Sequence, residues 1–469
     1  MPSDRTGLSQ ISTFVAGATP GADARRRALG AVIDTVGVAL AGSSEPAARI
    51  VRRTLAPSHP GTLAPSHPGT LAPSHPGTLA PLHPCTLWGE RQRAPILDAA
   101  LANGTAAHAL DFDDMCFVSL AHPSAPLVPA IMAAGEWVHA SGRAVLDAYV
   151  IGFEVQARLG RLMNPRHYQR GWHCTSTLGA MSAAAGAARL LGLDAATTAH
   201  ALAIAASSAS GLKENFGTMI KPLHAGLAAR DGVLAALLAR EGLTGSDRAI
   251  DGPQGFLHAF DAEHADLARE AQDLGSRWEI LDTGITVKLY PSCAGTHPTL
   301  DAILDLRARH GFGGDDIDRV EIDVDPIVPT ILIHDRPSNS LEAKFSMPFC
   351  AAAAIVFGHV GIETFVERIG DARITALMLR VTMRVDDAIG VGKPALTEAR
   401  VHILLKDGRT LTQDAHGARG YPANPATDAD FEAKFLSCAR AALPEPEAVG
   451  LLRRLRGLET VDSVSGIFR

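Results

Sequence analysis

The chain has 469 residues, of which 46% are hydrophobic and 20% are charged. This length predicts two or three domains, and this composition allows a large core and excludes wholesale disorder. The formal net charge is −7 and no basic stripe occurs, so nucleic acid is not an expected partner. A negative bulk charge also means that an anionic substrate would need a locally cationic pocket.

The amino terminus and the cysteines predict a cytoplasmic protein. The first residues, MPSDRTGLSQISTF, lack the basic and apolar regions of a secretory signal, and no apolar run is long enough to span a membrane. The six cysteines are scattered without a C-x-x-C pair, so neither a zinc site nor a disulfide framework is expected. We therefore expect free thiols in a reducing compartment and no contact with a membrane.

Helical spacing dominates the first part of the chain. Apolar residues recur at helical intervals over residues 21–53 and again over most of residues 95–275. Many of these segments are rich in small residues, which let helix axes approach closely, and Gly192 and Gly242 stand where two helices should end. Residues 1–276 are therefore predicted to form the first part of a large helical domain.

A tandem repeat interrupts this helical region. The octad LAPSHPGT occurs three times from Leu55 to Thr78, and a worn copy, LAPLHPCT, extends the repeat to Thr86. Two prolines and a glycine in each octad prevent a helix or a central strand. The recurring histidine could suggest a metal site, but an extended surface loop is the stronger interpretation. We predict a loop over residues 55–86 that is incidental to function.

The pattern changes after Trp278. Alternation of apolar and polar residues, rich in valine and isoleucine, predicts half-buried antiparallel strands in IDRVEIDVD, ALMLRVTMRVDD and TEARVHILLKDGRTLTQDA. THPTLDAILDLRARHG and KFSMPFCAAAAIVFG are helical in pattern. We predict a smaller α+β domain over residues 277–415 and a helical return to the first domain over residues 416–469. The expected fold is mostly α, with an all-helical domain built from both chain ends.

One segment, NGTAAHALDFDDMCFVSLAHPSAP, collects polar residues in apolar surroundings. Its carboxylates Asp111, Asp113 and Asp114 crowd beside His108 and His122. Such a cluster could bind a divalent metal, but the spacing of an EF-hand is absent. We favour an acid/base site in which Asp111 orients His122, and helix capping by the aspartates stays open as the alternative.

A second motif, HYQRGWHCTSTLGA, places Tyr168 and His173 just before a predicted helix. Thr175 and Ser176 offer capping oxygens there, and the start of a helix is a place where an anion can bind. A capped helix with a surface histidine is the other interpretation.

Cationic side chains occur in three later motifs. Lys221 and His224 lie in NFGTMIKPLHAG, and Lys288 and His297 lie in VKLYPSCAGTHP, at the entry to the second domain. Lys344 lies in LEAKFSMPF. A carboxylate substrate needs lysine or arginine, and a lysine where two domains meet is well placed to bind one.

Together these segments resemble the MmgE/PrpD family over essentially the whole chain. The motifs that carry the resemblance are NGTAAHALDFDD…AHPSAP, GWHCTSTLGA, FGTMIKPLHAG, VKLYPSCAGTHP, LEAKFSMPFCAAAA and GYPANPATDADFEAKF. The family includes 2-methylcitrate dehydratases, cis-aconitate decarboxylases and an iminodisuccinate epimerase. The resemblance implies a homodimer, an active site between a large helical and a small α+β domain, and no metal or organic cofactor.

The expected site residues all bind carboxylates or move protons. The resemblance carries over Asp111, His122, His173, Lys221 and Lys288, and the same polar segments add Tyr168, His224, His297 and Lys344. Removing a proton beside a carboxylate builds negative charge on its oxygens, so the site must supply a base and cations. We expect His122 as the acid or base and Lys221, Lys288 and His173 near the carboxylates. Tyr168 and Lys288 could serve as the two opposed bases of an epimerase.

Two positions depart from the pattern of the cis-aconitate decarboxylases. Met115 stands where those enzymes have threonine after FDD, and Phe349 stands where they have tyrosine. Two lost hydroxyl donors could cost about 1–3 kcal/mol each in a polar pocket. We therefore expect a 2-methylcitrate dehydratase-like lyase of a small di- or tricarboxylic acid. An iminodisuccinate epimerase-like isomerase is the main alternative, and a cis-aconitate decarboxylase or a non-catalytic member is less favoured.

A rival of another class is a hydrolase whose metal is held by the octad histidines, and it predicts loss of activity on chelation. The octads also give a direct test. Because a repeat rich in proline and glycine cannot join a packed core, deleting Leu55 to Thr78 should leave turnover unchanged and the melting temperature within a few degrees of wild type. A larger drop in melting temperature, or loss of turnover, would show that the repeat has a structural or binding role.

Overall fold

The computed structural model describes residues 6–55, 85–260, 262, 265–392 and 396–468. The predicted octad loop therefore lies outside the described residues except at its two ends. No helix in these described ranges combines the length and the apolar character needed to cross a membrane.

The first part of the chain is helical, as predicted. Its helices are α1 (Gly7–Gly17), α2 (Ala22–Gly42), α3 (Pro46–Leu55), α4 (Ile96–His108), α5 (Ser124–Val138), α6 (Gly142–Met163), α7 (Arg166–Gln169), α8 (Cys174–Leu190), α9 (Ala195–Ser208), α10 (Ile220–Arg240), α11 (Phe256–Ala259), α12 (Leu267–Glu270) and α13 (Glu279–Asp282). The short strands β1 (Cys85–Thr86) and β2 (Arg93–Ala94) pair before α4. Gly192 and Gly242 follow α8 and α10 in the left-handed conformation, with φ of 66° and 97°, as expected of helix ends.

Close contact between α4 and α10 brings two motif-bearing segments together. A Cβ added to Gly104 would lie 2.9 Å from the Cα of Gly226, and one added to Gly226 would collide with Thr105. Only glycine allows the two backbones to approach this closely. The carboxyl end of α4 therefore lies beside the first turn of α10, which carries Lys221.

The second part of the chain contains a four-stranded sheet with helices around it. The helices are α14 (His297–His310), α15 (Ser340–Ala343), α16 (Met347–Phe357), α17 (Ile362–Glu367) and α18 (Ala372–Met378). The strands are β3 (Ile317–Val324), β4 (Val381–Val385), β5 (Glu398–Leu405) and β6 (Thr410–His416), in the order β4-β3-β5-β6.

One prediction for this sheet is wrong. The strands were expected to be antiparallel, but β3 and β4 pair in parallel, while β3–β5 and β5–β6 are antiparallel. The cause is the connection from β3 to β4, which contains helices α15–α18 and returns the chain to the same end of the sheet. The segment ALMLRVTMRVDD is accordingly helix α18 in its first half and strand β4 in its second.

The carboxyl-terminal helices are α19 (Asp428–Ala439) and α20 (Glu445–Arg456), and both pack against α2. A buried ion pair joins α19 to α2, with Lys434 Nζ 2.7 Å from the carboxylate of Asp34. The mostly α fold with a small mixed sheet is confirmed, and the domain boundaries drawn from the sequence stay a prediction. One large apolar core runs from α5, α8 and α10 to strands β3 and β5.

Candidate active site

The loop after α4 is held by lysines from three distant segments. Three consecutive carbonyl oxygens each accept a hydrogen bond from a buried ammonium group: Leu110 from Lys344 at 2.6 Å, Asp111 from Lys288 at 2.8 Å, and Phe112 from Lys434 at 2.8 Å. Asp111 itself is left-handed, with φ of 53°. Polar backbone that leaves a helix inside a core must find donors, and here charged side chains supply them.

The carboxylate of Asp111 lies between two ammonium groups. Lys221 Nζ forms an ion pair with its Oδ1 atom, and Lys288 Nζ lies 3.1 Å from its Oδ2 atom. No side chain of the three is more than 6% exposed. Burial alone would raise the pKa of Asp111, but the two lysines outweigh it and hold that pKa well below its usual value. The site thus contains two cations and a carboxylate that is ionised at neutral pH.

His122 lies between two aspartates, the predicted partner Asp111 and also Asp113. Its Nδ1 atom is 3.2 Å from Asp113 Oδ2, whereas its Nε2 atom is 3.8 Å from Asp111 Oδ1. Asp113 also forms a hydrogen bond with Nδ1 of His108 at 2.7 Å, so its carboxylate lies beside both imidazoles. The carboxylate of Asp111 binds two lysines in addition to its ion pair with His122, and the role of Asp111 in orienting His122 stays a prediction.

The protonation state of His122 suits a base. Burial lowers its pKa, and although Asp113 opposes this shift, Lys288 adds to it. The pKa of His108 is also lowered, to about 3, and burial is again the largest cause. Both imidazoles are therefore neutral at pH 7, and a neutral imidazole can accept a proton.

His173 stands at the start of α8, but the predicted capping pattern is wrong. No side chain caps this helix. Thr175 Oγ1 instead accepts a hydrogen bond from the backbone N–H of His122 at 3.1 Å, and Ser176 Oγ donates to the carbonyl of His224 at 3.3 Å. Both hydroxyls serve neighbouring segments rather than the helix start, so they fix the position of His122 and His224.

Most of the predicted catalytic residues surround one buried cavity. Half of its lining residues carry polar side chains: Asp111, His122, Tyr168, His173, Thr175, Lys221 and Cys293. The other half are apolar: Met115, Leu120, Phe216, Ala294, Ile331, Phe345 and Leu396. The cavity volume is about 30 Å³, which is the space of a single water molecule. A di- or tricarboxylic acid can enter only if the walls separate.

Four predicted site residues do not line this cavity. Lys288 lies behind Asp111, Lys344 binds the carbonyl of Leu110, and His224 lies behind His173. His297 Nε2 lies 3.2 Å from the carbonyl of Ser292, and its ring packs against Tyr290. Their part in substrate binding stays a prediction, and their observed contacts are with the chain itself.

The structure also changes the interpretation of the two lost hydroxyls. Met115 lines the cavity, but Phe349 does not, because its ring packs 5.7 Å from that of Phe365. The aromatic wall residue from that region is Phe345. Cys293, which also lines the cavity, has no signal in the sequence other than its place in VKLYPSCAGTHP. Burial raises the pKa of its thiol to about 11, so it stays protonated.

Four side chains of the site could bind a metal ion, but two lysines already pair with one of them. His108, Asp111, Asp113 and His122 offer ligand atoms that all lie within 4.8 Å of one another. Asp111 is already neutralised by Lys221 and Lys288, and a divalent cation would have to displace these ammonium groups. The expectation of a metal-free site stays a prediction.

Replacing Asp111 by asparagine tests the charge balance of the site. Asp111→Asn keeps the shape and tolerates the left-handed backbone but leaves two buried ammonium groups uncompensated, which should lower the free energy of unfolding by about 3–5 kcal/mol at pH 7. The folded-state pKa of Asp111 lies below its unfolded value. Its stabilisation is therefore present above the unfolded pKa and is lost as the pH falls through the folded pKa, so the two proteins should converge in acid.

Urea unfolding at several pH values measures this difference. Asp23→Asn is the matched control, because Asp23 is 74% exposed and pairs only with Arg26 on the surface, and it should change little. Equal stability of Asp111→Asn and wild type at pH 7 would show that the lysines do not depend on this carboxylate.

Comparison with known proteins agrees with the motifs in this site. The family model of the MmgE/PrpD N-terminal domain matches residues 9–267, and that of the MmgE/PrpD C-terminal domain matches residues 290–453. Human cis-aconitate decarboxylase is 29% identical over 394 residues, which cover 81% of this chain and 80% of that protein. A cis-aconitate decarboxylase-like protein of Aspergillus oryzae is 28% identical over 78% of this chain and 80% of its own length. A cis-aconitate decarboxylase of Aspergillus terreus is 25% identical over 80% of this chain and 81% of its own length.

The two family models together match well over half of the chain, in the expected order, and the matched residues include every wall of the cavity. The chain belongs to the MmgE/PrpD family.

Proposed function

We propose that this protein is a lyase that moves a proton next to a carboxylate of a small di- or tricarboxylic acid, without a metal or organic cofactor. One observation carries the proposal: a neutral His122, whose Nδ1 atom lies 3.2 Å from Asp113, lines the same cavity as the ion pair of Asp111 and Lys221. A base and a cation beside one cavity are what proton removal next to a carboxylate requires. The cis-aconitate decarboxylases among the relatives support a lyase of this class.

The ion pair gives the substrate its binding site. Lys221 and Lys288 have been taken out of water and are held by Asp111, so their desolvation is complete before any substrate arrives. An entering carboxylate can bind Lys221, which lines the cavity, while Lys288 holds Asp111 from behind. The carboxylate gains negative charge as the proton leaves its neighbouring carbon. The lysines therefore bind the charge that develops in the transition state more strongly than the charge of the ground state.

Dehydration is the reaction that we favour. After His122 takes the proton, a departing hydroxyl group needs an acid. Burial raises the pKa of Tyr168 well above its ordinary value, so its phenol is protonated at neutral pH. Because Tyr168 also lines the cavity, we assign it as this acid. The epimerase alternative asks Lys288 to act as a base, but this side chain is fully buried and binds Asp111 through both a carbonyl and a carboxylate oxygen.

Decarboxylation of cis-aconitate is the second candidate, because several relatives carry that name. Met115 and Phe349 both lack a hydroxyl group that the cis-aconitate decarboxylases were expected to have, but only Met115 lines the cavity. The expected loss of binding free energy is therefore that of one hydrogen-bond donor, about 1–3 kcal/mol.

A substrate panel separates the candidates. Metal-stripped protein is incubated with 2-methylcitrate, citrate, cis-aconitate and iminodisuccinate, and products are followed by NMR. Loss of water from a hydroxy acid is the expected result. Release of carbon dioxide from cis-aconitate would replace dehydration by the second candidate. A requirement for added metal, or no turnover of any acid, would contradict the proposal.

The roles of the residues predict distinct kinetic effects. His122→Ala should lower kcat by about 10²–10⁴-fold with little change in KM, because the base acts only in the transition state. Lys221→Ala should raise KM as well, since this ammonium group lines the cavity and its loss weakens the ground state too. Lys288→Ala should raise KM through the carboxylate of Asp111, which it holds in place. Arginine is not expected to replace either lysine, because a planar fork does not fit the place of a compact ammonium group.

Steady-state kinetics on the substrate found in the panel measures these effects. Lys406→Ala is the matched control for the lysines, because this exposed residue lies in the turn after β5. A wild-type kcat for His122→Ala would refute the role of His122, and unchanged kinetics of both lysine variants would place the substrate elsewhere.

A further inference from the structure

Two histidines behind the cavity wall face each other through the same ring atom. Nδ1 of His173 lies 3.1 Å from Nδ1 of His224, and the two residues are 1% and 6% exposed. A hydrogen bond between two such atoms needs one N–H and one lone pair, so the two imidazoles must adopt opposite tautomers. The protonation of one ring is thereby tied to that of the other.

The remaining ring atom of His173 points to a use for this pair. His173 lines the cavity, and its Nε2 atom is buried without a hydrogen-bond partner among the described residues. Its ring stacks on that of His108 at 5.5 Å, and the His108 ring lies 4.6 Å from that of His122. A free imidazole nitrogen therefore stands beside the group that handles the proton of the substrate.

We propose that His173 and His224 form a proton relay between the cavity and the outside of the protein. A proton from the cavity binds Nε2 of His173, the Nδ1–H bond of His173 breaks, and that proton forms a bond to Nδ1 of His224. The Nε2–H bond of His224 then breaks and its proton passes to water. Both rings end neutral with exchanged tautomers, and the reverse sequence brings one proton from water to the cavity.

The surroundings of His224 agree with an outer position in the relay. His224 does not line the cavity, so a substrate bound in the cavity would not touch it. Its ring lies under Gly211, where an added Cβ would be 3.4 Å from the imidazole. The loop that carries this glycine includes the exposed residues Ser210 and Leu212, and it follows the exposed end of α9 at Ser207 and Ser208. The relay therefore ends beneath a thin, solvent-facing segment.

The relay rests on the proposed proton-transfer function and adds a requirement to it. A buried base that takes a proton from carbon must return to its neutral state before the next turnover. Dehydration with Tyr168 as the acid leaves one proton on His122 and removes one from the phenol, and decarboxylation draws one proton from water for each product. A path to the outside serves either reaction, and its loss slows turnover without weakening substrate binding.

Two substitutions of His224 test the relay. His224→Gln can still hydrogen-bond to Nδ1 of His173 but cannot pass a proton on, and His224→Ala leaves a space for imidazole from solution. We expect both to lower kcat about 10- to 100-fold with KM within about twofold of wild type, and we expect added imidazole to restore part of the kcat of His224→Ala. His359→Gln is the matched control, since the side chain of His359 is 64% exposed and does not line the cavity.

A second measurement does not depend on turnover. In protein labelled with ¹⁵N-histidine, exchange of the ring proton of His173 with water should be at least about tenfold slower in His224→Gln than in wild type. A wild-type kcat and exchange rate for His224→Gln would overturn the relay and leave His224 as a structural neighbour. An effect on KM alone would assign it to substrate binding instead. Failure of every acid to react would refute the proposed function, and the exchange rate would still decide on the relay.

Discussion

The structure of the site depends on one buried carboxylate, that of Asp111, and on the lysines gathered around its loop. Two ammonium groups neutralise the carboxylate, and three bind the consecutive carbonyl oxygens of residues 110–112. These lysines come from α10, from the start of the second part of the chain, from the segment before α16, and from α19. Because a buried charge without a partner is costly, the chain must bring all of these segments together before the loop is stable. The reactive geometry is thus a consequence of the complete fold.

The proposed binding of an anion by a protein with a net charge of −7 depends on the same charge balance. Lys221 lines the cavity and Lys288 lies behind Asp111, and the carboxylates of Asp111 and Asp113 balance the charges of the two ammonium groups. The surrounding imidazoles stay neutral because burial lowers the pKa of His122 and His173. A polyanion that enters this cluster raises the proton affinity of these imidazoles, which are then suited to take the proton that the reaction releases.

The sequence was sufficient for the helices, for the change to an α+β pattern after Trp278, and for the motifs whose side chains surround the cavity. It could not show which neighbour orients His122, because Asp111 and Asp113 are two residues apart and only the lysine contacts distinguish them. Nor could it show that Phe349 packs against Phe365 while Phe345 lines the cavity, since both stand in the apolar segment KFSMPFCAAAAIVFG and only Phe349 lies in α16. The parallel pairing of β3 and β4 depends on a long connection, and local alternation of residues does not encode it.

Deuterium incorporation from D₂O tests most directly whether His122 moves a proton next to a carboxylate. The acid that reacts is incubated with wild type and with His122→Gln, and the recovered acid and its product are examined by NMR. The account predicts deuterium on the carbon beside a carboxylate with wild type, and incorporation at least about 10²-fold slower with His122→Gln. Turnover that leaves this carbon free of solvent deuterium, or equal incorporation by both proteins, would contradict it.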